Sequence, residues 1–375
     1  MRIIHCADIH LDSKMESNLT KEQARERKNE ILLTFLDMVE YGAKNKADAI
    51  LIAGDLFDTG RVSRKTANII TDCIISHPGI DFLYLKGNHD VDSFLDNLEQ
   101  MPGNLKLFGD SWTGYQYECK RNEGETLEEK RKVVITGVEL GKDNRQWIYD
   151  SLSLNAADWN IVTLHGQESQ NRSGDAEEVI ALKELKNRNI DYLALGHIHT
   201  YKTAKLDERG TYCYCGCLEG RGFDECGEKG FVVLDISEKE IHSAFVKAGR
   251  RAFYEEHIEV SGLQTTSEIE RRIKEVMDQS GATSKDLIKL VLEGEMEVSG
   301  EKDISYLQKK LSENYYFVKI YDRTRRKINM EEFQFDVSLK GEFVRSVLSS
   351  RLSQKEKEDI ILAGIRALSG EEWDA

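Results

Sequence analysis

The sequence predicts an α/β protein: a two-sheet α/β/β/α sandwich, followed by a smaller α+β domain and a C-terminal helical pair. Three observations lead there. Short apolar runs alternate with helix-spaced apolar stripes through roughly the first 250 residues. The strands so counted are too many for one sheet with helices on both faces, whereas two packed sheets with helices outside accommodate them. The pattern then changes near Arg251, which sets the expected domains at residues 1–250, 251–335 and 336–375.

The elements follow in order. Residues 3–7 form a buried strand. Thr20 with Gln23 makes a capping box that opens a helix, along which Ile31, Leu32, Phe35, Leu36 and Val39 recur at helical spacing. Residues 49–53 are a second strand, 63–76 a second helix and 82–85 a third strand. This βαβαβ order implies a parallel sheet, whose carboxyl-terminal strand ends are where sites are expected. Further strands read at 133–136, 161–164, 192–195, 232–236 and 241–246. Beyond Arg251 come a strand (257–260), a helix (267–279), a strand (288–293), a helix (304–313) and a strand (316–321). Two short helices follow from Ser338.

Composition excludes several classes. At 40% hydrophobic and 32% charged residues the chain reads as a globular protein. No apolar run is long enough to cross a bilayer, and the opening MRIIHCADIH lacks a signal-peptide profile, so the cytoplasm is the expected location. Seven cysteines, an odd number in a long chain, argue for reduced thiols over a disulfide framework. A net charge of −15 is awkward for binding nucleic acid, unless metal ions, local basic patches or a partner subunit offset it.

Chemistry concentrates at the strand ends. The first strand runs into Asp8 and His10, the second into Gly54-Asp55-Leu56-Phe57-Asp58, and the third into Gly87-Asn88-His89-Asp90. The strand at 161–164 ends at His165-Gly166, and that at 192–195 at Gly196-His197-Ile198-His199. Each motif alone has an ordinary structural reading as a turn or a hydrogen-bonded histidine. Massed at one sheet edge, these polar groups would cost too much desolvation energy without a cation among them. Mixed His, Asp and Asn donors suit manganese, iron or zinc rather than calcium. Two aspartates facing two divalent ions would leave net positive charge to receive a phosphodiester anion. Paired ions about 3.5–4 Å apart are the usual arrangement for in-line phosphoryl transfer.

These motifs, in this order, resemble the calcineurin-like metallophosphoesterases, and within them the SbcD-like DNA repair nucleases. The resemblance covers Asp8 to His199 and continues more weakly through Gly216-Cys217-Leu218-Glu219 and 229–234 into the C-terminal region. It implies that Asp8, His10 and His199 hold one metal, that Asn88, His165 and His197 hold a second, and that Asp55 bridges them. His89 then remains as a catalytic group beside the leaving oxygen, with Asp58 orienting it; the structural reading of Asp58 is a turn or helix cap. The resemblance further implies manganese-dependent exonuclease action on duplex DNA ends, and endonuclease action on single strands or hairpins. The partners implied are DNA and an SbcC-like ABC-type ATPase with a coiled coil, held by the C-terminal helices, in a homodimeric assembly. Two departures stand out. Asp12 occupies a position where SbcD proteins often carry glycine, as in a sister branch. Thr59-Gly60 and Asp90 stand where protein Ser/Thr phosphatases have Arg-Gly and Glu. The alternatives are a phosphoesterase acting on a small phosphoester or nucleotide, and a non-catalytic scaffold subunit.

Other signals carry less. Cys213, Cys215 and Cys217 alternate, with Cys226 nearby, as a metal site or as small buried residues on one strand face. His5 reads as a core residue. Arg323, Arg325, Arg326 and Lys327 are the densest basic cluster, able to meet phosphates or simply to form a solvated face. No Walker-type phosphate loop occurs, so any ATP dependence comes from another chain.

Overall fold

The computed structural model describes residues 1–15, 19–58, 62–90, 93–96, 98, 100–118, 131–145, 147–169, 179–297, 300–327, 333 and 335–369. Thr59, Gly60 and the last six residues thus lie outside the described residues. The described chain divides into two units, Met1–Ala252 and Phe253–Ala375.

In chain order the first unit opens with β1 (Arg2–Cys6), α1 (Lys21–Lys44), β2 (Ala49–Ala53), α2 (Arg64–Ser76), β3 (Asp81–Leu85), α3 (Ser93–Asp96) and β4 (Leu105–Leu107). There follow β5 (Thr113–Glu118), β6 (Lys132–Gly137), β7 (Trp159–His165), β8 (Gln167–Ser169), β9 (Val179–Ala181) and α4 (Leu182–Leu185). The unit closes with β10 (Tyr192–Gly196), β11 (Lys202–Lys205), β12 (Thr211–Tyr214), β13 (Gly230–Ile236) and β14 (Ile241–Lys247). One sheet has the order β14-β13-β1-β2-β3-β4 and the other β11-β12-β10-β7-β6-β5. Strands β1 to β4 run parallel, as do β6, β7, β10 and β12, so within each sheet several strand ends and their loops share one edge.

Strand alternation builds the layers. Ile4, Ile50, Ile52 and Phe82 face outward against Ile31, Phe35 and Val39 of α1 and Ile70 and Ile74 of α2. Their neighbours Ile3, Leu51 and Leu83 face inward against Ile135, Ile161 and Ala194 of the second sheet. Each such side chain, fully buried, contributes roughly 1.5–3 kcal/mol. Cys213 and Cys215 belong to this inner layer and serve there as small core residues, whereas Cys217 is buried with its Sγ 3.5 Å from the His199 carbonyl and 3.8 Å from Glu225 Oε2. His5 is also there, wholly buried, its Nδ1 3.0 Å from the Tyr192 hydroxyl. Burial depresses its pKa to about 3. Helix α1 begins as its sequence indicates: Thr20 Oγ1 accepts from Gln23 N at 3.2 Å, and Gln23 Oε1 accepts from Thr20 N at 3.1 Å.

A buried ion pair ties α1 to the loop after β12. The Arg27 guanidinium donates to Glu219 Oε2 at 3.2 Å and to the Gly220 carbonyl at 2.8 Å. Glu219 also accepts from Thr34 Oγ1 at 2.7 Å and Arg250 N at 2.6 Å. Both side chains of the pair are fully buried.

The second unit contains β15 (Phe253–Glu259), α5 (Thr266–Ser280), β16 (Leu287–Glu293), β17 (Glu295–Glu297), α6 (Ile304–Leu311), β18 (Phe317–Asp322) and β19 (Arg325–Lys327). Strands β15, β16 and β18 form a parallel three-stranded sheet. Ile269, Ile273 and Met277 of α5 and Leu307 of α6 cover Ile258, Ile288, Leu290 and Ile320 on one face. The basic cluster on β19 is partly committed to structure. Arg326 donates to the carbonyls of Glu297 and Gly300, and Lys327 pairs with Glu295 at 3.6 Å.

Helices α7 (Leu339–Leu348) and α8 (Gln354–Ser369) close the chain. They pack on each other: Val344, Ile361, Ile365 and Phe333 form a small core, with Phe343 packed against it. The approach requires Gly364, where a Cβ would stand 2.1 Å from the Phe343 ring. A capping box opens α8, with Ser353 N donating to Glu356 Oε2 at 2.9 Å and Glu356 N to Ser353 Oγ at 3.4 Å. Among the described residues no helix is long and apolar enough to cross a membrane.

Replacing Arg27 by Met is expected to lower the stability of the first unit by about 3–5 kcal/mol, because Glu219 would be left buried without its cation. A urea unfolding midpoint equal to that of the parent would show the pair to be dispensable.

Candidate metal centre

The turns after β1 and β2 are zipped together by backbone hydrogen bonds. Asp8 N donates to Gly54 O, Ile9 N and His10 N to Asp55 O, Leu11 N to Leu56 O, and Asp58 N to Leu11 O, all at 2.9–3.1 Å. This pairing forces both turns into the left-handed region: φ is 51° at Asp8, 50° at His10 and 53° at Asp55. His197, after β10, has φ 99°. Such conformations in residues other than glycine cost about 1–3 kcal/mol each and gather where side chains must be aimed. Gly54 (φ 94°) could not be replaced, since a Cβ there would lie 2.0 Å from His165 Nδ1.

The side chains so aimed converge. His10 Nε2 and His199 Nε2 are 3.2 Å apart, and His199 Nε2 is 4.0 Å from Asp8 Oδ1. His165 Nε2 lies 3.0 Å from Asn88 Oδ1 and 3.3 Å from Asp55 Oδ2, and Asp55 Oδ2 lies 3.8 Å from His10 Nε2. The His197 ring stands perpendicular to that of His165 with centroids 5.5 Å apart. Donor atoms sharing an ion at 2.0–2.2 Å would be separated by roughly 3–3.5 Å, close to these spacings.

The far side of each ring shows why these donors fit divalent cations. His165 Nδ1 is 2.9 Å from the Ala53 carbonyl, and His199 Nδ1 is 2.6 Å from Glu225 Oε1. His10 Nδ1 lies 3.1 Å from Asp58 Oδ1. A ring that donates from Nδ1 presents a lone pair at Nε2, so His165 and His199 aim lone pairs at the Asp55 and Asp8 carboxylates and at His10 Nε2. Only a cation or extra protons relieve that arrangement. The protein's own charges show the same demand. Burial raises the Asp8 carboxyl. At Asp55 burial acts in the same sense, yet the hydrogen bond and charge of His165 hold the group well below the carboxylate range. His165, despite its burial, is pushed up to about 9 by the Asp55 hydrogen bond and the Asp8 charge.

The family model for calcineurin-like phosphoesterases matches residues 1–201, more than half of the chain. The chain belongs to the calcineurin-like phosphoesterase family. It is therefore a metal-dependent phosphoesterase of a family that binds divalent metals. Its sequence is similar to the DNA double-strand break repair protein Mre11 of Aeropyrum pernix, 23% identical over 326 residues, covering 82% of this chain and 77% of that protein. The uncharacterized metallophosphoesterase YhaO of Bacillus subtilis is 26% identical over 257 residues, covering 66% and 60%. The SbcD component of the nuclease SbcCD from Escherichia coli K12 is 25% identical over 268 residues, covering 62% and 64%. The matches thus span less than two thirds of the length of the latter two.

In this phosphoesterase Asp8, His10, Asp55, Asn88, His165 and His199 bring their donor atoms together, and the His197 ring packs edge-on against His165. His89 sits beside them, its side chain 48% exposed and its ring edge-on to His10 at 5.2 Å between centroids. Its backbone N–H donates to Asp55 Oδ1 at 2.9 Å. Asp58 Oδ1 is 4.0 Å from His89 Nδ1, but nearer to His10 Nδ1 and to Arg221, whose guanidinium donates at 2.9 Å. Asp90 organises the turns from behind, accepting from the backbone of Leu56, Phe57 and Gly87 at 2.8–3.2 Å; burial raises its carboxyl to about 6. Asp12, with φ 66°, accepts from Ser63 N and Thr66 Oγ1 at the start of α2 and pairs with Lys28 of α1.

Sequence reasoning missed Glu225 and Arg221. They lie in the segment Gly220-Arg221-Gly222-Phe223-Asp224-Glu225, which shows no strand or helix periodicity. The only local signal was a charged pair in a glycine-containing loop just after the Gly216-Cys217-Leu218-Glu219 stretch.

Replacement of Asp55 by Ala is expected to empty or scramble the centre. Replacement of His89 by Ala should leave the metal content of the parent in place and lower phosphodiester cleavage by roughly 10²–10⁴-fold, the scale of a general acid–base group. Elemental analysis of both variants separates the roles, and equal metal loss in the two would make His89 a ligand.

Proposed function

We propose that this phosphoesterase is a DNA nuclease that works with two divalent ions, manganese by preference and iron or zinc as alternatives. In this reading it is the nuclease subunit of an SbcCD-like repair complex in the cytoplasm, assembled as a homodimer. It acts as an exonuclease on duplex ends and as an endonuclease on single strands and hairpins. The observation that carries the reading is the extent of the similarity to Mre11. At 82% of the chain it runs beyond the first unit, whereas hydrolysis of a small phosphoester requires no such extension. The second unit, up to about residue 335, is then the part that recognises DNA.

The ions, when bound, would lower the pKa of an attacking water and neutralise the phosphoryl charge in an in-line displacement. Asp8, His10 and His199 would hold one, Asn88, His165 and His197 the other, with Asp55 between them. His89, half exposed at the edge of the cluster, would deliver a proton to the leaving oxygen. The rest of the protein supplies direction: strained turns aim the donors, and Asp90 keeps the turns in register.

The C-terminal helices fit the expected ATPase contact. Leu339 is 69% exposed, and Ile360 and Leu368 are 40% exposed, apolar positions left over after α7 and α8 form their own small core. An apolar helix face seated on a coiled-coil base is a helix-in-groove contact.

The deciding experiment incubates pure protein and Mn²⁺ with labelled hairpin and blunt-ended DNA, beside a panel of nucleotides, small phosphoesters and phosphoproteins. DNA is expected to be cut; turnover of the panel with DNA untouched would replace the nuclease reading by a small-substrate one. Deletion of residues 339–375 should leave metal-dependent cleavage of short single strands intact and abolish co-purification with the ATPase. Full-affinity binding by the truncated protein would remove the helices from that role.

A further inference from the structure

His10 and His199 differ from His165 in what stands behind them. His165 leans on a neutral carbonyl, that of Ala53. His199 leans on the Glu225 carboxylate at 2.6 Å, and His10 faces the Asp58 carboxylate at 3.1 Å. One side chain joins these two carboxylates. Arg221 donates from one terminal nitrogen to Asp58 Oδ1 at 2.9 Å, and from Nε and the other terminal nitrogen to Glu225 Oε1 at 3.2 and 3.1 Å. Its backbone N–H donates to Glu225 Oε2 at 2.7 Å, so the same residue grips both oxygens of that carboxylate. Glu225 is 5% exposed, and the Arg221 and Asp58 side chains are 22% and 18% exposed.

We propose that Arg221 is a positioning residue that fixes the geometry of one metal subsite only, the one formed by Asp8, His10 and His199, through Asp58 and Glu225. The proposal rests on the two-metal reading above. A planar guanidinium is suited to the task, because its fork holds two carboxylates at fixed angles where an ammonium would act as a point charge. It also balances charge. Two nearly buried carboxylates side by side repel each other, and without a cation between them each would rotate toward water and release its ring. Asp58 has a second place to go, since His89 Nδ1 lies only 4.0 Å from the same oxygen. Arg221 holds Asp58 on the His10 side, which keeps both rings of the subsite oriented. The hydrogen bonds described for this brace go to Asp58 and Glu225 and not to Ala53, Asn88 or His165, so the other subsite is linked to it only through the shared Asp55.

Groups that orient metal-bound histidines from behind are worth about 10–100-fold in metal affinity. The test titrates metal-free full-length protein with Mn²⁺, following bound metal by equilibrium dialysis and spin coupling between the ions by electron paramagnetic resonance. The parent should bind two ions and show the coupled spectrum. Arg221→Gln should bind one ion with parental affinity and the other about 10–100-fold more weakly, so that uncoupled Mn²⁺ dominates at intermediate loading. Arg221→Lys should recover only part of the loss, because it keeps the charge without the fork. Glu225→Gln, which preserves volume, should weaken the same ion and carries the test should Arg221→Gln fail to fold. Parental affinity for both ions in Arg221→Gln or Glu225→Gln, or equal weakening of both, overturns the proposal. A parent that binds a single ion overturns the two-metal reading itself.

Discussion

The structure depends on one electrostatic constraint: a cluster of desolvated donors that only positive charge makes tolerable. Three Nε2 atoms and two carboxylates face one another at 3.2–4.0 Å, on turns that burial removes from water. Left uncompensated, such a cluster costs several kcal/mol per polar group. The high proton affinity of His165 and the depressed Asp55 carboxyl are two aspects of that demand. Divalent metal, which the family binds, answers it and would attract a phosphoester anion. This also accommodates the net charge of −15, because the positive charge that meets substrate does not have to come from side chains.

The α/β/β/α layering makes the cluster affordable in conformational terms. Parallel strands deliver their loops to a common edge, and the inter-sheet core keeps the donor-bearing ends of the two sheets in fixed relation. His165, at the end of β7, reaches across to the carbonyl of Ala53 at the end of β2, so the contact between sheets is itself part of the centre. The hydrogen-bonded zipper between the β1 and β2 turns then holds Asp8, His10 and Asp55 in left-handed conformations that a free loop would leave. Strain and packing oppose each other here, and the packed sandwich prevails.

Behind the ligands lies a second set of contacts with its own logic. Asp58, Glu225 and Arg221 form one ionic group, while Asp90 accepts from three backbone amides. The buried pair of Arg27 and Glu219 continues this theme next to the loop that carries Arg221. The histidines of the cluster are thus backed unequally, His10 and His199 by carboxylates and His165 by a backbone carbonyl.

By itself the sequence determined the periodic elements and the residues at their ends. The capping boxes at Thr20 and Ser353 and the stripe Ile31, Phe35, Val39 are local patterns, and local hydrogen bonds and burial decide them. Asp8, Asp55, Asn88, His165 and His197 were legible because each follows an apolar run that can only be a core strand. Short, polar or edge strands such as β4, β5 and β11 were not, since they bury too little to show a period. Tertiary structure alone decided which sheet neighbours bring β7 beside β10, and that Asp58 lies nearer His10 than His89. It alone brought Arg221 and Glu225, far along the chain from Asp8 and His10, to the back of the same centre. Contacts between residues so distant in sequence carry no periodic signature. They arise only when two sheets close on a common core and place the loops of both at one edge.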